Sequence, residues 1–235
     1  MLLRIYVILS CLTVSWIMKL GYLNILRSLT KKLDVLETIL FEGHYDIFGV
    51  AEIDLFSHMN PPTIEGYSVI THRNEDGISR LCAYVRNSIQ VDGLTLIKDQ
   101  CAIIIQLAQV SVAMAYNGFT LNPYTDDKIK LSEKARCNNA IDTLDQITFS
   151  AKQGLVILGD FNIDFLSDTV PRRRLTNWMT DNDCSQNITS ATRSISGTCL
   201  DLCLSRLTLL VPGRGGIGPR TSKTLITQNH LIGTS

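Results

Sequence analysis

Leu155-Val156-Ile157-Leu158-Gly159-Asp160-Phe161-Asn162-Ile163-Asp164 is the most informative run in this chain. Its four leading apolar residues, two of them β-branched, follow Gly154 and predict a strand buried on both faces. The run breaks at Gly159 and then presents Asp160 and Asn162. Extended backbone alternates side chains between faces, so these two are expected to point the same way while Phe161 turns back into protein. A carboxylate placed there could hold a divalent cation or polarise a water. The amide could orient an anionic substrate without adding charge. A strand that simply ends in a turn would also place Asp and Asn here.

The flanking segments supply partners for this strand. Lys19 to Ile25 reads as a first strand carrying Asn24 near its end. Ser28 then opens a helix whose apolar stripe is Leu29, Leu33, Leu36, Ile39 and Leu40, with Gly43 as its stop. Asp46 to Glu52 is an apolar strand terminated by a carboxylate, so the chain begins like a βαβ unit. Pro61-Pro62 and Glu65-Gly66 mark a loop, and Leu81 to Val85 is the next strand. Cys101 to Tyr116 holds enough β-branched residues for two strands turning near Gln109 or Ser111, the second ending at Tyr116-Asn117. A loop over Asn117 to Asp127 leads to a helix from about Lys130 to Phe149, with Ala140, Ile141, Leu144 and Ile147 facing inward. After the central strand, Arg172-Arg173-Arg174 precede a short amphipathic helix built on Leu175, Trp178 and Met179. Cys199 to Leu204 alternates as a strand carrying Asp201.

Bulk properties narrow the class. At 235 residues, 45% hydrophobic and 19% charged, the chain has enough apolar material for a packed α/β or β-rich domain rather than disorder. With 22 basic and 22 acidic residues, nucleic acid cannot be held by bulk charge, although a local basic groove remains open. Seven cysteines, an odd number without a CxxC pair, suit reduced thiols inside a cell. Cys199 and Cys203 lack partners at zinc-finger spacing, so no zinc site is expected. Residues 1–18 form a hydrophobic leader without a small-residue cleavage site. They read as an upstream extension in preference to a signal peptide, with no stable membrane association. Asn187-Ile188-Thr189 is a glycosylation acceptor only if that leader works as a signal. From Pro212 the chain turns Gly-rich and basic without a period, as a flexible tail does. The expected organisation is therefore a leader (1–18), one domain (19–206) and a divergent tail (207–235).

Four predicted strands finish in polar residues: Asn24, Glu52, Tyr116, and the pair Asp160 and Asn162. Strands of one packed sheet system ending on a common edge would bring these groups together. Two carboxylates are hard oxygen ligands suited to magnesium or manganese, and amides and a phenol add neutral hydrogen bonds to phosphate oxygens. That set suits metal-assisted hydrolysis of a phosphoester.

The order and spacing of these groups resemble the endonuclease/exonuclease/phosphatase superfamily, particularly the endonuclease domain of non-LTR retrotransposons. The resemblance rests on Leu23-Asn24-Ile25-Leu26-Arg27-Ser28-Leu29, on Asp46 to Glu52, and on Gly66-Tyr67 through Arg73 with Asp76-Gly77 and Ala83-Tyr84-Val85-Arg86. It continues with Tyr116, Gly159-Asp160-Phe161-Asn162, and Ala191-Thr192-Arg193 followed by Gly197 and Leu200-Asp201. It spans about residues 19 to 206. It implies a four-layer α/β sandwich, two mixed sheets face to face with helices outside. It also implies a magnesium- or manganese-dependent hydrolase that nicks DNA, intracellular and, when functional, nuclear and monomeric. Glu52 and Asp160 would be the metal residues, with Asp160 also activating the attacking water. Asn162 would contact the phosphate, Asn24 and Tyr116 would hold its developing charge, and Asp201 would support the site. Arg27, Thr192 and Arg193 would be weaker nucleic-acid contacts.

The departures from the family are equally specific. Its closing Ser-Asp-His triplet is absent, the late His230 follows Asn229 instead of an Asp, and the last core strand is expected to be missing. The Arg-Pro-Pro segment after the Tyr is replaced by Asn117-Gly118-Phe119. Losing a catalytic His costs about two to four orders of magnitude in rate. The alternative reading is thus a catalytically dead remnant that binds nucleic acid or protein, and a third is a phosphatase on small phosphoesters. His44, His58 and His72 are expected in surface loops.

Overall fold

The computed structural model describes residues 3–10, 17–27, 29–56, 58–73, 78–97, 100–118, 131–152, 154–206 and 225–230. Ser28, Asp76-Gly77, the loop beyond Gly118 and the tail over 207–224 lie outside the described residues. The elements are β1 (Leu3–Ser10), β2 (Ile17–Asn24), α1 (Leu33–Gly43, after a 3-10 turn at Leu29–Lys32), β3 (Ile47–Leu55), β4 (Tyr67–Arg73) and β5 (Ser79–Arg86). There follow β6 (Gly93–Ile97), β7 (Ala102–Gln106), β8 (Val110–Tyr116), α2 (Glu133–Ser150), β9 (Gly154–Asp160), α3 (Val170–Asp181), β10 (Ser185–Gln186), β11 (Asp201–Arg206) and β12 (Leu225–His230).

The strands form two six-stranded mixed sheets, in the orders β12-β1-β2-β3-β5-β4 and β10-β11-β9-β8-β7-β6. Each sheet holds one parallel pair, β2 with β3 and β8 with β9, and α1 and α2 are their crossovers. Parallel neighbours run the same way, so the carboxyl ends of all four strands carry the polar residues singled out from the sequence.

Side-chain alternation explains the layering. In β3, Ile47 and Ala51 join the core between the sheets, whereas Phe48 and Val50 pack with Leu36, Ile39 and Leu40 of α1 on the outer face. Every residue of β9 is buried, as expected for its unbroken apolar run. On the second sheet's outer side α2 contributes Cys137, Ala140, Leu144 and Ile147, and α3 contributes Leu175, Trp178 and Met179. Ser132 and Thr169 cap these two helices through their hydroxyls. The result is the expected α/β four-layer sandwich.

Several details depart from expectation. β1 lies where the sequence suggests a leader, and it pairs antiparallel with β2. Leu225 to His230, read as flexible tail, pairs antiparallel with β1, and the backbone of His230 faces Leu3. β4 and β6 have mixed polar and apolar sequences because they are half-exposed edges. His72 lies in β4, not in a loop, and is 1% exposed, its Nε2 2.5 Å from the Ile97 carbonyl. His44 and His58 are exposed as expected. As the basic residues ahead of Leu175 suggested, the arginine run opens α3: Arg172 and Arg173 face Asp168, and Arg174 donates to Asn138. Asn187 of the glycosylation triplet donates its amide to Cys203 and Ser205. Among the described residues, no helix is long and apolar enough to cross a membrane.

Candidate active site

The polar ends of β2, β3, β8 and β9 meet at one edge of the sandwich. The Asn24 amide nitrogen joins the two sheets there, 2.8 Å from Glu52 Oε1 and 3.0 Å from Asp160 Oδ2. Tyr116 donates its hydroxyl to Glu52 Oε1 at 3.1 Å. The carboxylates of positions 52 and 160, 108 residues apart in the numbering of the chain, are therefore held by a single side chain. Asp201 opens β11 directly across from Asp160 in the antiparallel ladder.

Glu52 does not end its strand. β3 runs on to Leu55 through an irregular register between Ala51 and Leu55, with Glu52 at φ 55° and Asp54 at φ 49°. Such conformations are uncommon for residues other than glycine and cost on the order of 1–3 kcal/mol each. Leu26, Arg27 and Asn162 also have positive φ, so much of the backbone strain in the described chain gathers at this end of the sandwich. The bulge redirects the Glu52 carboxylate toward Asn24 and Tyr116, which a flat strand would not do.

Asp160 and Asn162 come together by a turn instead of by strand alternation. β9 stops at Asp160, and the Asn162 backbone N–H donates to Asp160 Oδ1 at 3.1 Å, an Asx turn closed by the αL conformation of Asn162. Phe161 is buried as expected. The Asn162 amide donates to the Asn117 carbonyl, and its Oδ1, buried, has no protein partner. Asn117 in turn donates to the Phe161 and Arg136 carbonyls, so it locks the turn.

Charge at the site is concentrated and poorly hydrated. Asp160 is fully buried, and burial together with the neighbouring Asp201 pushes its ionisation above the usual carboxylate range. Arg193, Asn24 and the Asn162 N–H oppose that rise. Asp201 is raised by burial as well, against the pull of Thr192 and Arg193. Burial and the charges of Glu52 and Asp160 raise the Tyr116 phenol, which stays a protonated donor. Arg193 reaches Asp160 Oδ2 with Nη2 at 2.7 Å.

The remaining expected residues play different parts. Thr192 is 1% exposed, and its hydroxyl accepts from the Leu200 and Asp201 N–H groups, so it shapes the loop beneath Arg193 and offers no surface to a ligand. Arg27 is exposed and 3.7 Å from Asp54. Two residues escaped the sequence reading. Asn117 was seen only as a departure from the family. Tyr22, fully buried, donates its hydroxyl to the Ala115 carbonyl at 2.8 Å and accepts from the Asp160 N–H at 3.2 Å. Its signal was available, because Tyr22 and Asn24 share one face of β2.

The donor set can accommodate a hard divalent cation. Glu52 Oε2 accepts no hydrogen bond among the described residues, whereas both Asp160 oxygens are engaged. No group of three or more His, Cys, Asp or Glu side chains spaced for a metal occurs among them. Magnesium needs no such cage, because it binds through one or two carboxylates and retains waters. Beside the cluster lies a cavity of about 230 Å³, walled by Asn162, Asp164, Arg136 and Cys137.

This architecture is that of the endonuclease/exonuclease/phosphatase proteins: the chain has their fold. It is similar to the endonuclease domain of TRAS1, a telomere-specific non-LTR retrotransposon, with a TM-score of 0.56 and 10% identity over 80% of this chain and 83% of that one. It is also similar to an AP endonuclease from Archaeoglobus fulgidus (TM-score 0.54, 16% identity, 80% of this chain and 86% of that one). A mannosyl-6-phosphatase from Bacteroides thetaiotaomicron matches with a TM-score of 0.54 and 11% identity over 75% of this chain and 77% of its own. No protein-family model matches the sequence, and no curated protein shows significant similarity to it.

Proposed function

We propose that this chain is a divalent-metal-dependent phosphodiesterase of the DNA-nicking type, derived from a retrotransposon endonuclease domain and working inside the nucleus as a monomer. The observation that carries the reading is the Asn24 amide nitrogen shared between Glu52 and Asp160, which sets two carboxylates from different sheets around one small polar space. Glu52, with its uncommitted oxygen, would hold a magnesium or manganese ion beside Asp160, and the ion would supply Lewis-acid charge at a phosphoryl oxygen. Asp160 takes the proton of the attacking water, and the orphaned Asn162 Oδ1 accepts that water's second hydrogen. Asn24 and Tyr116 donate to the charge that develops on the phosphate, and Asp201 keeps Asp160 basic by its proximity. Arg27 and Arg193 line the approach and would meet neighbouring phosphates, which position a duplex without reading its sequence.

None of the hydrogen bonds found at the cluster involves a histidine, so the expected enzyme is slow. Nicking of supercoiled plasmid in magnesium tests it. Wild-type protein should relax the plasmid slowly, and Asp160→Ala and Glu52→Ala should each lower the rate by at least about 100-fold. Wild-type protein that never cleaves but still shifts DNA in a gel would identify a binding remnant instead. Hydrolysis of small phosphomonoesters with no action on DNA would make it a phosphatase.

A further inference from the structure

Arg193 stands out at the edge of the cluster. Its Nη2 lies 2.7 Å from Asp160 Oδ2, the oxygen that also receives the Asn24 amide. Asp160 is fully buried and faces Asp201, so without a cation at hand two buried carboxylates would oppose each other. An unpaired charge in such a place costs several kcal/mol, and a guanidinium is well suited to remove that cost because it never loses its charge.

The backbone carrying Arg193 is held by bonds of its own loop, independent of the guanidinium. The Arg193 N–H donates to the Thr198 carbonyl, the Gly197 N–H returns to the Arg193 carbonyl, and the Thr192 hydroxyl pins Leu200 and Asp201. The Arg193 side chain is 34% exposed at the mouth of the cluster, so its guanidinium reaches both the buried carboxylate and solvent. Glu52 Oε2, across the Asn24 amide, is the uncommitted oxygen where a second cation would bind.

We propose that Arg193 and a divalent cation are alternative counter-ions for the Glu52–Asp160 pair: Arg193 holds Asp160 in the metal-free protein and releases it when the cation binds. This rests on the reading of the cluster as a metal-dependent phosphoester site. The released guanidinium then faces the cleft as a permanent cation for the substrate phosphate. Metal loading is thereby gated by an arginine, and the empty site is protected from its own carboxylate repulsion.

Binding of manganese alone, followed by titration calorimetry at fixed pH and ionic strength, tests the gate on the full chain without any turnover. Arg193→Gln should bind manganese about tenfold more tightly than wild type, because the ion no longer has to displace a competing cation from the carboxylate pair. Arg193→Lys, which keeps the cation but loses the guanidinium fork, should fall between the two and guards against a folding defect in the glutamine variant. Glu52→Gln should abolish binding. In wild type, the Arg193 guanidinium resonance in a nitrogen–proton NMR spectrum should be slow to exchange without metal and should broaden or shift on adding magnesium. Equal affinity in wild type and Arg193→Gln, with binding still lost in Glu52→Gln, would overturn the gate and leave the metal site standing. Failure of every variant to bind manganese at millimolar concentration would overturn both.

Discussion

Tyr22 shows how one side chain can set the geometry of a site it does not line. Its hydroxyl lies between the Ala115 carbonyl and the Asp160 N–H, on the last two rungs of the β8–β9 ladder, where Ala115 pairs with Gly159 and Tyr116 with Asp160. Tyr22 belongs to the opposite sheet, so the phenol is a strut between sheets at the level of the Asp160 carboxylate. Burial raises its ionisation far above the ordinary value, with Asp160 adding to the effect, and it remains a donor. Tyr22→Phe should cost about 1–2 kcal/mol of stability, the price of one buried hydrogen bond, by urea denaturation. In the nicking assay it should lower kcat about tenfold with little change in KM, because the carboxylate drifts while the outer phosphate contacts stay. A change confined to KM would mean that Tyr22 does not position Asp160. Asn117 acts similarly on the following turn, and Asn117→Ala removes its amide bonds to the Phe161 and Arg136 carbonyls and should lower kcat by a comparable factor.

At the scale of elements, the site depends on one close backbone approach and one buried loop anchor. A Cβ at Gly159 would lie 2.6 Å from the Ala115 carbonyl oxygen and 2.9 Å from the Phe161 ring. The first of these is backbone and cannot move aside. Gly159→Ala should therefore part β8 from β9 next to Asp160, costing about 1–3 kcal/mol and abolishing metal binding even where the protein still folds. Circular dichroism melts together with manganese titration check both halves of that expectation. The loop entering β11 depends on Thr192, whose hydroxyl accepts two buried N–H groups. Thr192→Val leaves those donors unpaired and should destabilise by about 1–3 kcal/mol, whereas Thr192→Ser should restore most of the loss.

Across the whole molecule, the six cysteines among the described residues are free thiols, five of them buried and Cys101 partly so. Burial pushes Cys199 and Cys203 up from 9.0 to about 12, with carboxylate neighbours adding to the rise at Cys199 and an Asn187 hydrogen bond opposing it at Cys203. Folded thiols then keep protons that unfolded thiols release. The folded protein binds more protons between the unfolded value and about 12, so stability present below pH 9 is lost as pH rises through that interval. Urea midpoints should fall from pH 8 to pH 10.5, and Cys203→Ala should flatten that slope. Among these features, the sequence by itself determined the strands and helices with unbroken periods: the apolar run of β9, the stripe of α1, the paired strands before Tyr116, and the candidate residues at their ends. These were legible because burial on one or both faces leaves a local pattern. The Glu52 bulge, the strut of Tyr22, the Arg193–Asp160 pair and the added strands β1 and β12 carry no such pattern. They exist only where segments remote in sequence meet, because a hydrogen bond or ion pair between sheets is set by packing and leaves neither partner's neighbours in the chain with any trace of it.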